Sequence, residues 1–261
     1  MERRPVKINI EDYPLAFHEF LKDAKIYDSS CSREAKVVFI DKDGGYYLKR
    51  AQKGTLSREA QMTRYFHSLK LGAEVVAYES EQEDWFMTHA VKGEDCIFHK
   101  YLEEPKRLCE KTAELLRMLH RCGFSGCPVP DKMTGYLETV RKNYEKRNCE
   151  LDLFSERYQF KNADAAFDMV LKNGKFLKND TLLHGDYCLP NIMLDDWNFS
   201  AFIDLDNAGV GDKHVDIFWG TWTLEFNLKT DAFADRFLDA YGRENIEEEL
   251  LYTVAAAEVF G

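Results

Sequence analysis

The first ninety residues alternate short apolar runs with tight polar turns. AKVVFI (35–40), the turn DKDGG and YYLKR (46–50) read as a β-hairpin, because Asp and Gly supply the left-handed backbone a tight turn needs. Met62, Tyr65, Phe66 and Leu69 then recur at helical spacing, with Ser57 as the expected N-cap and Gly72 as the stop. EVVAYE and DWFMTHA, joined by the polar SEQE, predict two further strands.

Beyond Gly93 the pattern lengthens. Pro105 sits where a first helical turn tolerates it, Leu108, Leu115 and Leu119 mark one face, and Gly123 closes the helix. Residues 163–172 predict another helix, stopped by Gly174, and RKNYEKR (141–147) reads as one solvated helical face. TLLH, NIML and SAFID are short strand candidates, and helices are expected over 215–226, 232–241 and 247–259. The expected fold is α+β, with a β-rich N-terminal lobe (1–90) and a mainly helical C-terminal lobe (91–261).

Composition narrows this picture. With 261 residues, 45% hydrophobic and 31% charged, the chain reads as a globular protein able to bury one large core or two smaller ones. No stretch approaches the roughly 18 apolar residues of a membrane span, and MERRPVKINIEDYP lacks a signal-peptide core, so a cytoplasmic protein without membrane contact is expected. A net charge of -11 argues against nucleic acid as a partner. Seven cysteines without a C-x-x-C pair read as free thiols, and the spacing of Cys109, His120, Cys122 and Cys127 fits no common zinc site.

The densest chemistry lies in LLHGDYCLPNIMLDDWNFSAFIDLD (182–206), which sets Asp186, Asn191 and Asp204 between strand-like apolar runs. Buried carboxylates and amides need partners. Phosphoryl transfer would supply them: one carboxylate takes the proton of an attacking hydroxyl, and oxygen donors hold magnesium on the phosphates. Asp186 fits the first role; Asn191 and Asp204 fit the second. Upstream, Lys49 closes the strand YYLK and Glu59 lies in the next helix, an arrangement by which kinase-type sites fix a phosphate-gripping ammonium. Taken singly, each would be an ordinary surface lysine and helix-face glutamate. Two H-x-D pairs, His184/Asp186 and His214/Asp216, allow a metal-dependent hydrolase instead, but that reading leaves Asn191 and Lys49 without a task. No G-x-x-x-x-G-K-[ST] loop is present, which excludes a P-loop mechanism.

HGDYCLPNIML followed by FIDLDNAGVGDKHVDI resembles the aminoglycoside phosphotransferases, nearest their 3'-phosphotransferase branch, whose fold is protein-kinase-like. The resemblance implies Asp186 as catalytic base, Asn191 and Asp204 as magnesium ligands, and the Lys49–Glu59 ion pair over the phosphates of ATP, with GTP as an alternative. It implies Met87 in the adenine pocket, the backbone of His89 and Ala90 at the adenine edge, and Ser32 in a short nucleotide loop. It also implies a small cationic acceptor held by Asp152, Glu156, Glu258 and the carboxylate of Gly261. His184, Cys188, Pro190, Asp212 and Asp216 are expected to shape the catalytic loop. The chain departs from the family pattern with Leu205-Asp206-Asn207 in place of Leu-Gly-Arg, with Trp222, Phe226 and Asn227 where arginine and acidic groups are usual, and with Ala257 for aspartate. These departures keep two alternatives in view: a kinase of another small alcohol, and a nucleotide-binding module without turnover.

Overall fold

The computed structural model describes residues 4–31, 35–151 and 156–261, and the chain groups into two compact units. The first comprises Met1–Glu94 and Met193–Asp206, the second Asp95–Ile192 and Asn207–Gly261. The expected division at 90/91 therefore differs in one consequential respect: residues 193–206, read as part of the C-terminal lobe, belong to the first unit.

A six-stranded antiparallel sheet organises the first unit. Its strands are β1 (Arg4–Pro5), β2 (Lys25–Asp28), β3 (Ala35–Asp41), β4 (Tyr46–Gln52), β5 (Val75–Ser80) and β6 (Glu83–His89), in the order β1-β2-β3-β4-β6-β5. Asp43, Gly44 and Gly45 all take positive φ between β3 and β4, the conformation the DKDGG turn was expected to supply. Alternation along the strands sorts the side chains between two faces. Ile40, Leu48, Trp85 and Met87 pack with Phe17 and Leu21 on one side. Ala51 and Phe86 pack on the other, against Leu56 and Ala60 at the start of helix Ser57–Ser68.

That helix begins differently from the expectation. Ser57 is its first helical residue and not its cap; the residue before it, Leu56, donates its backbone N–H to Asp84 Oδ2 of β6 at 2.8 Å. A tertiary carboxylate thus does what a local serine hydroxyl was expected to do. The hairpin of Ile192–Asp195 and Asn198–Phe202 joins the same unit. Its two-residue turn, Asp196–Trp197, has positive φ at both positions, as a hairpin turn of this length requires. Phe202 N–H donates to Leu71 O at 2.8 Å, and the fully buried Phe202 ring meets Phe66 edge-on.

The second unit is mainly helical. Helix Pro105–His120 buries Leu108, Leu115 and Leu119 as its spacing predicts, and it packs on Ala234–Tyr241 and His214–Leu228. Ala163–Asn173 and Lys132–Glu145 pack on the C-terminal helix Glu248–Glu258. The sequence reading saw only the polar end of Lys132–Glu145; the helix starts at the Asp131 cap, whose carboxylate accepts from Thr134 N at 3.1 Å. Thr181–Leu183 pairs antiparallel with Gly209–Gly211, a long-range partner with no strand signature of its own. Among the described residues no helix is long and apolar enough to cross a membrane.

Candidate active site

In the first unit, Lys49 on β4 reaches two carboxylates. Its Nζ lies 2.6 Å from Glu59 Oε1 and 2.7 Å from Asp204 Oδ1. Burial works against the ammonium, but Glu59 and Asp204 outweigh it and push the Lys49 pKa up to about 12, so the side chain stays charged. Glu59 comes from the helix packed beneath the sheet and is almost wholly buried, whereas the Asp204 side chain is 54% exposed. Asp204 sits just past the hairpin in a left-handed conformation (φ 60°), which a non-glycine residue adopts at a cost. Gly93 lets the hairpin come close: a Cβ there would lie 2.0 Å from the carbonyl oxygen of Leu194.

The residues expected at the adenine edge need correction. Met87 has no exposed surface and packs with Leu48 and Trp85, on the sheet face opposite Lys49. Cross-strand pairing sets Lys49 against Phe86 and Tyr47 against Thr88, so it is Thr88 that shares the Lys49 face. The N–H groups of His89 and Ala90 are also taken, donating to Glu74 O and Gly45 O at 2.9 Å each. Val91 is the next backbone donor, half-buried and without a hydrogen-bond partner among the described residues. A period-2 strand flips every role when its register is read one residue short. Ser32 lies outside the described residues.

In the second unit, Asp186 is fixed by neutral groups. Asn191 Nδ2 donates to its carboxylate Oδ2 at 2.9 Å and to its carbonyl at 3.0 Å, and Cys188 N–H donates to the same carbonyl at 2.8 Å. Asn191 thereby spends its N–H groups inward and keeps its carbonyl oxygen. Gly185 has φ 83°, and a Cβ there would lie 1.9 Å from Asn207 O, so the loop tolerates no side chain before Asp186. Asp216, wholly buried, accepts from the N–H groups of His184 and Gly185 at 2.7 Å each. His120 Nε2 lies 3.2 Å from the same carboxylate and its Nδ1 lies 2.8 Å from the Tyr241 hydroxyl. These contacts carry the loop-shaping role expected of Asp216. His214 is engaged at both ring nitrogens: Nε2 accepts from Glu247 N–H at 3.0 Å, so Nδ1 carries the proton it donates to Asp212 at 2.6 Å. Neither nitrogen of His214 is left for a metal, which removes one of the two H-x-D pairs behind the hydrolase reading.

Of the expected acceptor residues, Glu258 is the best defined. It is buried at the last turn of its helix, and Tyr136 donates a hydroxyl to its Oε1 at 2.8 Å. Burial pushes its pKa up to about 7, against the hydrogen bonds of Tyr136 and the Trp219 indole. Gly261 is exposed beyond it. Asp152 lies outside the described residues, as does the side chain of Glu156, which opens the short turn Glu156–Tyr158.

A sequence profile described as the phosphotransferase enzyme family matches residues 30–252. The chain is 52% identical over 259 residues to a probable aminoglycoside 3'-phosphotransferase of Lactococcus lactis subsp. lactis, covering 99% of this chain and 98% of that one. It is 24% identical to the aminoglycoside 3'-phosphotransferase of Staphylococcus aureus, over 90% and 93% of the two chains. Among solved structures it resembles an aminoglycoside-3'-phosphotransferase of type VIII, with a TM-score of 0.70 and 18% identity over 99% of this chain and 94% of that one. The α+β, kinase-like fold expected from the sequence is the fold observed.

Proposed function

We propose, from the premise that this chain belongs to the phosphotransferase enzyme family, that it is an aminoglycoside 3'-phosphotransferase moving the γ-phosphate of ATP to the 3'-hydroxyl of a cationic acceptor. The observation that carries the reading is the Lys49 cluster: Lys49 and Glu59 on consecutive elements meet the sequence-distant Asp204 within 2.7 Å as a fixed ammonium between two carboxylates. A permanently charged lysine suits the gripping of phosphate oxygens. Asp186, with one carboxylate oxygen held by Asn191, suits the acceptance of the hydroxyl proton. The donors fit magnesium: the Asn191 carbonyl and the Asp204 carboxylate are hard oxygen ligands, and Asp204 keeps an exposed edge. Magnesium held by them would neutralise charge on the phosphates. Thr88 and the Val91 N–H are assigned to the adenine beside the backbone carbonyls of His89 and Ala90, whose N–H groups are engaged within the fold; the buried Met87 is not. Seven free cysteines suit a reducing cytoplasm.

A second reading, phosphorylation of another small polyol, is favoured by one observation. Trp222 and Phe226 stack with ring centroids 5.0 Å apart and planes at 13°, and Phe226 is 55% exposed. An aromatic surface thus stands where a charged fork is usual in the family. Transfer from ATP-Mg to kanamycin, run beside tobramycin, which lacks the 3'-hydroxyl, separates the readings. Turnover of kanamycin alone is expected; equal turnover of both would remove the 3'-assignment, and turnover of neither would remove the aminoglycoside.

A further inference from the structure

The helix Lys132–Glu145 does more than fill space beside the C-terminal tail. Tyr136, Val140, Asn143 and Tyr144 fall on one face, at spacings of four, three and one residues. Tyr136 donates to Glu258 at 2.8 Å. Asn143 Nδ2 donates to Phe260 O at 2.7 Å, and the buried Phe260 ring meets both Tyr144 and Phe167 edge-on. Glu150 N–H adds a bond to Val259 O at 2.8 Å. The tail is thereby pinned immediately after Glu258, while Tyr136 holds the carboxylate itself.

We propose that Tyr136 is a positioning residue for the acceptor: its hydroxyl holds Glu258 Oε1 and so turns the other carboxylate edge toward an acceptor ammonium. The inference rests on the acceptor reading above and adds the residue that orients the acidic group. Among the described residues, four groups act most strongly on the Glu258 carboxylate. Tyr136 and Lys132 approach from the same helix, Trp219 from His214–Leu228, and the Asp186 charge from the catalytic loop. Tyr136, Lys132 and Trp219 favour the carboxylate, while burial and Asp186 oppose it. The balance sets ionisation at about pH 7, so acceptor affinity should climb as pH rises through neutrality. Without the Tyr136 hydroxyl that climb moves to higher pH.

The test measures steady-state KM for kanamycin and for ATP between pH 6 and 9 in wild type, Tyr136→Phe and Glu258→Gln, with a melting curve for each. Tyr136→Phe is expected to raise the kanamycin KM by roughly tenfold, the scale of one hydrogen bond to a charged group. It should shift the midpoint of the KM–pH profile upward and leave the ATP KM unchanged. A folded Tyr136→Phe enzyme with an unmoved midpoint would overturn the proposal. So would a Glu258→Gln enzyme keeping the wild-type profile, which decides the matter if Tyr136→Phe does not fold. Wild type that neither binds nor phosphorylates kanamycin would overturn the acceptor reading itself, and this inference with it.

Discussion

Lys49 sits between two carboxylates at 2.6 and 2.7 Å, whereas Asp186 is surrounded by an amide, backbone N–H groups and a loop tied down from behind. Both are conspicuous charged residues, yet their surroundings are opposite in kind. A residue that must grip a polyanion gains from neighbours that keep it ionised at every working pH. A residue that must take up a proton gains from neutral dipoles, because a strong cation beside it would hold it as a poor base. Under the proposed roles the difference separates binding from chemistry, and the two residues should respond differently to substitution.

The strongest way to break the comparison is Asp186→Asn. Turnover should fall by a factor of about 10² or more, the scale for losing a positioned general base, while nucleotide affinity holds; isothermal titration with ATP beside rate measurements reads both, and near-normal turnover would remove Asp186 from the chemistry. Lys49→Met should instead act on the nucleotide, lowering kcat/KM for ATP by about ten- to hundredfold through loss of charge-assisted bonds. An unchanged ATP KM there would mean the ammonium grips something else. Asp216→Asn sharpens the contrast, since it disturbs the loop without touching a substrate. One backbone donor of the pair at His184 and Gly185 loses its charged acceptor. A drop in kcat of about three- to tenfold, with both KM values steady, is expected; equal changes in KM would count against a purely positioning role.

The smallest effect is on stability. Glu258 has its pKa raised to about 7 by burial, so the folded protein holds this proton more tightly than the unfolded chain. Its contribution to stability is full below the ordinary glutamate value of 4.5 and is lost as pH rises through about 7. Glu258→Gln should therefore melt a few degrees higher than wild type at pH 8 and show no such gain at pH 4.5; a gain that grew toward acid would reverse the sign.

Local rules carried the parts of the fold they govern. The DKDGG turn and the apolar face of Pro105–His120 follow from turn chemistry and periodicity, both readable in sequence. What they missed depends on distant partners. Nothing near Ser57 announces that Asp84 will satisfy the N–H of Leu56. Nothing in GVG announces a strand until it pairs with Thr181–Leu183. At the candidate site, the Lys49–Glu59 pair was legible from its strand and helix positions, whereas the contact of Lys49 with Asp204, 155 residues on, was not. The burial of Met87 was not legible either, since a strand hides which face a residue takes until its partners are seen.

The hairpin after residue 192 has a consequence for synthesis. The first unit is interrupted: its sheet is complete at His89, but Asp204 and the Phe202 plug come from a segment made much later. At about 5–20 residues per second, the ribosome needs roughly 5–20 s to travel from Glu94 to Asp204. During that interval the nascent N-terminal sheet holds Lys49 with Glu59 alone and leaves Phe66 without its Phe202 neighbour. The first unit is thus finished only after Asp95–Ile192 has been made, which ties its maturation to translation of most of the chain.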